Sequence, residues 1–381
     1  MNSLPLQGLT VLEFCQYLSG PSAGLRLADL GARVIKIERP GVGEAGRKLA
    51  IKNLWVGDTS LLFHTINRNK ESITANLKNA EELSMIKQLI AQSDVLIHNF
   101  RPGVMTNNGL DYEKVKQINP RIVYAEISGY GSEGPWQMKP GQDLLLQSMA
   151  GLAYTTGNGD SGPVPFGISI ADIMAGAQVV QGILGALIRR QKTGIGCLIE
   201  VSMMESLIDF QFELLTTYFA SNQQPVRSNV SNGQPLLSAP YGVYATANGH
   251  LAIAMVDIHD LADTIGCDAI KSFSKNDAFA LRDEIKAVLA NHLLQQNTEY
   301  WITRLQKAGL WAMEVLNWES MTAGKAYQAL QMEQLLQVGD QQIKTTRCPI
   351  RIDGQRLVSD KPAPALGAHN EKISRELSVV S

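Results

Sequence analysis

Cysteine is scarce and scattered: Cys15, Cys197, Cys267 and Cys348 are the four in 381 residues, and none stands in a C-x-x-C pair. That spacing excludes a dithiol redox motif and a zinc knuckle, and a chain of this length needs no disulfide framework. Four buried free thiols are expected. An excess of charge of one sign is also missing. The 34 basic and 36 acidic residues leave a formal charge of −2, so no whole-protein field draws in nucleic acid or a membrane surface, and neither is expected as a partner. No 18 apolar residues run together, so no membrane span is expected. The opening Met1-Asn2-Ser3-Leu4-Pro5 lacks the basic region and apolar core of a secretory signal, which makes the cytoplasm the expected location. The six histidines show no ligand spacing, and no metal is indicated.

What remains is a composition for packing. Hydrophobic residues make up 45% and charged residues 18%, and 381 residues are more than one ordinary core organises, so two domains are expected. Thr10–Phe14 reads as a strand, Ser22–Leu30 as a helix stopped by Gly31, and Arg33–Ile37 as a second strand, a compact βαβ unit. Helix Glu81–Ser93, strand Val95–Ile97, helix Tyr112–Gln117 and strand Ile122–Ile127 continue the alternation. Strands this apolar belong in a parallel sheet covered on both faces, so the fold class is a doubly wound, Rossmann-like α/β domain.

A long helix follows from Asp172 to Arg190, with Ile173, Ala177, Val180, Leu184 and Leu187 as its apolar stripe, and then a strand at Leu198–Val201. Composition turns polar around 221–234, and a hairpin is expected at Tyr241–Met255 around Asn248-Gly249. These signals divide the chain into a large α/β domain, 1–220 with 325–381, and a smaller α+β domain, 221–324.

Three short motifs fail on context. Gly41–Gly46 and Gly129–Gly134 both fit G-x-G-x-x-G, but the first follows the second strand and the second runs into Pro135 and Pro140 where a helix must open. Gly20–Gly24 fits G-x-S-x-G, the nucleophile elbow of a hydrolase-fold thioesterase, yet six residues separate Phe14 from Pro21, and a sharp turn allows no such gap. Small residues packing a helix closely on a sheet explain that segment better.

Longer segments carry more. Ser19-Gly20-Pro21, Gly31–Pro40, Asn69–Ile73, Asp94–Gly103, Asn119-Pro120-Arg121, Lys192–Gly196 and Pro364–His369 occur in order along the chain. Together they resemble the class III CoA-transferase (CaiB/BaiF) family, and most of all its acetyl-CoA:oxalate branch, related to formyl-CoA transferase. The resemblance implies an interlocked homodimer, no tightly bound cofactor, and coenzyme A as co-substrate with acyl-CoA and small carboxylic acids. It implies that Asp172, ten residues before Gly182–Leu187, is the nucleophile, forming a mixed anhydride and then an aspartyl–CoA thioester. It places Arg39 and Lys78 at the CoA phosphates, with Asn99, Phe100, Asn107 and Asn108 along the rest of that molecule. Leu18, Gln142, Asp143, Gly233 and Gln234 would line the acyl and carboxylate site. The family's 2-methylacyl-CoA racemases carry a histidine where this chain has Gln142, and an amide cannot shuttle the second proton. The transferase reading is therefore preferred over racemase and thioesterase.

Overall fold

The computed structural model describes residues 4–380; Met1–Ser3 of the N-terminal reading lie outside them. The chain forms two compact units, one of residues 1–146, 169–210 and 331–381, the other of 147–168 and 211–330. The breaks thus fall at 210/211 and 330/331, not at 220/221 and 324/325, and 147–168 joins the smaller unit. Hydrogen bonds such as Gln211 Nε2 to the Ala150 carbonyl (3.1 Å) and Arg227 to the Thr156 carbonyl tie that segment there.

The larger unit is built on six parallel strands: β1 (Thr10–Phe14), β2 (Arg33–Glu38), β3 (Lys70–Thr74), β4 (Val95–His98), β5 (Val123–Ser128) and β6 (Cys197–Ser202), in the order β3-β2-β1-β4-β5-β6. Its helices include α1 (Ser19–Asp29), α2 (Ala80–Gln92), α3 (Tyr112–Ile118), the start of α4 (Asp143–Met149), α5 (Ile170–Thr193), α6 (Met203–Phe210) and α7 (Asn370–Val380). Side chains alternate across each strand. Leu12, Phe14, Ile35, Ile73 and Leu96 pack on Ile86 and Leu89 of α2, Val115 of α3 and Ile373 of α7. Glu13 points the other way, toward α1. Both faces are covered, the doubly wound arrangement.

Helix α1 starts at Ser19, three residues before the expected Ser22, because Pro21 falls in the first turn, where its missing N–H costs nothing. Strand β3 carried no apolar signal. Lys70, Glu71 and Ser72 are all buried in it, and their partners compensate for the loss of water. Lys70 Nζ lies 2.7 Å from Glu13 Oε2 and donates to the Pro21 carbonyl and Asn67 Oδ1, both at 2.8 Å. Lys36 sits on the other carboxylate oxygen of Glu13 at 2.9 Å. Helix α5 is long and apolar enough, by length and composition, to cross a membrane, with half of it buried. Its core face keeps Val180 and Leu187 of the expected stripe, both buried, but not the other three. Ile173 is 44% exposed, Ala177 is exposed and Leu184 only half-buried; the buried residues include Ala175, Gly176, Val179, Ile183 and Ala186.

The smaller unit holds a three-stranded antiparallel sheet, β7 (Gly242–Ala245), β8 (His250–Ile253) and β9 (Ala312–Glu314), with β8 in the middle. Tyr244, Leu251 and Ile253 pack on helices at Ile258–Ile265, Arg282–Leu293 and Thr298–Lys307 through Leu261, Leu289 and Trp301.

Candidate active site

The strand order reverses between β1 and β4, and in open parallel sheets ligands settle outside the carboxyl ends of strands at such a point. Three segments emerge there: residues 15–18 after β1, Arg39 after β2, and Asn99-Phe100 after β4. The first makes an abrupt turn. Tyr17 has φ 62°, a left-handed backbone unfavourable for a side chain with a Cβ. Hydrogen bonds hold it in place. Tyr17 N–H donates to Glu44 Oε2 at 3.1 Å, Gln16 N–H donates to Asn99 Oδ1 at 2.8 Å, and Asn99 Nδ2 donates back to the Gln16 carbonyl at 2.7 Å. The Asn99 side chain thus clamps the β1 loop to the end of β4.

Next to that loop lies the start of α5. Gly176 makes this possible: a Cβ there would stand 2.5 Å from Ser22 Oγ and 2.8 Å from the Ser19 carbonyl of α1. Ser22 lies inside α1 and donates to the Ser19 carbonyl at 2.8 Å, so it occupies no nucleophile elbow. Ser169 is the N-cap of α5 but makes no side-chain cap. Asp143, twenty-eight residues upstream, supplies it, with Oδ1 accepting from Ala171 N–H at 2.7 Å. Asp172 is the third helical residue and therefore is not the N-cap, which removes capping as its role.

Asp172 is half-buried in the positive end of the helix dipole. Its carboxyl is raised from 3.8 to about 6, chiefly by burial and next by the neighbouring Asp143 charge, with Ser19 acting the opposite way. The result is a carboxylate that is ionised at neutral pH yet more basic than usual, a combination suited to a nucleophile toward activated acyl groups.

Leu18, Gln142 and Asp143 lie in the same unit as Asp172: Leu18 half-buried before α1, Gln142 exposed before α4, and Asp143 pinned at the α5 terminus. Arg39 is exposed, with no ion-pair partner among the described residues, and Lys78 is exposed in the turn before α2. Phe100 stacks on His98 at 6.3 Å between ring centroids and packs against the core. Asn107 is exposed at the end of a short helix, and Asn108 Nδ2 donates to the Val104 carbonyl at 2.7 Å. Gly233 and Gln234 belong to the smaller unit. There a Cβ on Gly233 would meet the Tyr241 ring at 2.7 Å, and Gln234 Oε1 accepts from Leu236 N–H. Sequence reasoning gave Ser19 no role, although it favours the charged form of Asp172.

Comparison with known proteins settles the family. A model described as CoA-transferase family III matches residues 6–370. The chain belongs to CoA-transferase family III. It is 33% identical to acetyl-CoA:oxalate CoA-transferase of Acetobacter aceti, over 98% of this chain and 96% of that protein. It is 32% identical to succinate–glutarate CoA-transferase of Agrobacterium fabrum, over 99% and 96%. A solved CaiB/BaiF family protein from Brucella suis matches with a TM-score of 0.84 at 31% identity, covering 99% of this chain and all of that one. A family III CoA-transferase takes CoA thioesters as substrates, so acyl-CoA and a carboxylate are the reactants this site must receive.

Proposed function

We propose that this CoA-transferase moves CoA from acetyl-CoA to oxalate, with Asp172 as nucleophile, and acts as a cytoplasmic homodimer. The Asp172 carboxylate attacks the thioester carbonyl; the C–S bond breaks, CoA thiolate leaves, and an acetyl–aspartyl anhydride remains. Thiolate attacks the aspartyl carbonyl, expelling acetate and forming an aspartyl–CoA thioester. Oxalate attacks that carbonyl, CoA thiolate leaves again, and its attack on the oxalyl carbonyl gives oxalyl-CoA and restores the carboxylate. Each step exchanges one oxygen or sulfur nucleophile for another, so no net proton moves.

The observation that supports this most is the placement of Asp172: a basic carboxylate at a helix N-terminus, at the carboxyl edge of the sheet. Arg39, exposed and unpaired, suits a CoA phosphate. Lys78, Asn99, Phe100, Asn107 and Asn108 are assigned along the rest of CoA, and Leu18, Gln142, Asp143, Gly233 and Gln234 to the acyl and carboxylate groups. The choice of oxalate follows the Acetobacter relative. The Agrobacterium relative, almost as similar, is named for succinate and glutarate, so dicarboxylate length is the variable to test. Acetyl-CoA and succinyl-CoA are each incubated with oxalate, succinate and glutarate, and the products are read by mass spectrometry, with hydroxylamine added during turnover. Oxalyl-CoA as the fastest-formed product and a hydroxamate on Asp172 are expected. Glutaryl-CoA formed faster would reassign the acceptor, and an adduct on Asp143 or Ser22 would displace the nucleophile.

A further inference from the structure

The turn after β1 is held residue by residue. The fully buried Lys36 donates from Nζ to the Cys15 carbonyl at 2.8 Å and pairs with Glu13 at 2.9 Å. Asn99 engages both main-chain polar groups of Gln16, and Glu44 Oε2 accepts from Tyr17 N–H and from Gly46 N–H, the latter at 2.7 Å. Glu44 is buried, so water does not loosen its hold. The chain then folds straight into α1, so closely that a Cβ on Gly20 would stand 2.3 Å from Cys15 Sγ. At residues 15–17 these bonds engage main-chain atoms alone, so they ask nothing of the side chain at position 17. With φ at 62°, glycine would sit there without strain and asparagine with little, whereas the bulky tyrosine suits it poorly.

What tyrosine adds over glycine is the ring. Tyr17 is 51% exposed and no part of the core. Among the described residues its hydroxyl has no hydrogen-bond partner and its ring no aromatic or cationic neighbour. A rigid backbone nevertheless holds it at the carboxyl end of β1, where the strand order reverses. Strain kept at such a point, with no return from packing, marks a residue that meets a ligand. We propose that the Tyr17 ring forms a wall for the pantetheine arm of the CoA thioester. Strand β1 lies between β2, which leads into Arg39, and β4, which leads into Asn99 and Phe100. The turn at 15–18 also feeds the start of α1, which meets the start of α5 at Gly176. The arm is uncharged, with methyl and methylene groups set between two amides, and an aromatic face suits it. This rests on the reading that puts the CoA phosphates at Arg39 and the acyl group at Asp172, but its test needs neither an acyl group nor turnover.

The test is calorimetric titration of the whole protein with free coenzyme A and, separately, with adenosine 3′,5′-bisphosphate, which lacks the arm. Tyr17→Gly is expected to weaken coenzyme A binding about ten-fold, the scale of one aromatic face lost from a ligand, and to leave the bisphosphate Kd little changed. Tyr17→Asn, which also tolerates the left-handed backbone, is expected to do the same. Tyr17→Phe, which keeps the ring, is expected to recover most of the loss. Relief of strain should let the Gly and Asn variants unfold in urea at no lower concentration than wild type, which separates lost binding from lost fold. In turnover the acyl-CoA KM should rise with the coenzyme A Kd, and kcat should move far less. An unchanged coenzyme A Kd in Tyr17→Gly overturns the proposal. An equal loss for the bisphosphate overturns it too, by moving the ring to the nucleotide end, and so does a Phe variant as weak as Gly. Should Tyr17→Gly unfold early, the Kd values of Tyr17→Asn decide in the same way. A different acceptor acid, or a nucleophile other than Asp172, leaves these binding results as they stand.

Discussion

Replacing Asp172 by Asn separates what the residue does for catalysis from what it costs the fold. The folded-state value, raised from 3.8 to about 6, means that ionisation is harder in the folded protein than in the unfolded chain. At 1.36 kcal/mol per pH unit the gap amounts to about 3 kcal/mol of lost stability, present in full above pH 6. The sign is opposite to that of a salt-bridged aspartate: the cost fades as pH falls from 6 toward 3.8, because the folded protein takes up the proton first. Asn has nearly the same shape and no charge, so it removes the burial cost and the repulsion from Asp143. It also forgoes what Ser19 contributes to the charged form, so a net gain of about 1–3 kcal/mol is the fair range. Asp172→Asn is thus expected to be inactive and more stable than wild type at pH 7.5, with the advantage shrinking to nothing by pH 4. Urea unfolding of both proteins at pH 7.5, 6, 5 and 4 measures it. A variant no more stable than wild type at pH 7.5, or a difference that grows on acidification, would falsify the electrostatic account of this site.

Two further outcomes are expected. Arg39→Ala should raise KM for acyl-CoA roughly 10- to 100-fold, with KM for the carboxylate little changed, as losing a charge-assisted phosphate contact of about 1.5–3 kcal/mol predicts; steady-state kinetics with each substrate varied checks it, and an unchanged acyl-CoA KM removes Arg39 from the site. Lys70→Met should destabilise the larger unit by about 3–5 kcal/mol, because Glu13, 0% exposed, keeps only Lys36 as a close cation. Adding Glu13→Gln should recover part of that loss in urea unfolding; a double variant weaker than the sum of the singles contradicts the pairing.

The strands whose apolar residues run together were legible from sequence, and the observed ends of β1, β2, β4, β5 and β6 lie within a residue or so of the expected ones. Strand β3 was not, because it is held by charge pairing and its residues read as surface. Part of the inner face of α5 was hidden as well. Periodicity marks where large apolar residues recur and so found Val180 and Leu187, whereas the buried Ala171, Ala175, Gly176 and Ala186 are too small to mark it. Ile173 and Ala177, which periodicity favours, stay on the exposed side.

The site divides along the same line. Asp172 was proposed from a family pattern fixed in sequence spacing, and it stands in the first turn of the long helix. What tunes it comes from two other stretches of chain: Asp143 from 29 residues upstream and Ser19 from the first helix. No local signal announces such partners, since each is an ordinary polar residue until the fold places it. Asp143 illustrates this. As a side chain lining a pocket it would be replaceable by other polar groups, but it caps α5 and is also the negative charge that acts on Asp172. Removing it therefore changes two terms of opposite consequence, freeing the Ala171 N–H and relieving the repulsion on Asp172. A helix cap and a like-charge neighbour supplied by one carboxylate give the proposed nucleophile a fixed helix and a raised basicity. That combination is what a residue must have if it is to be acylated and released within each turnover.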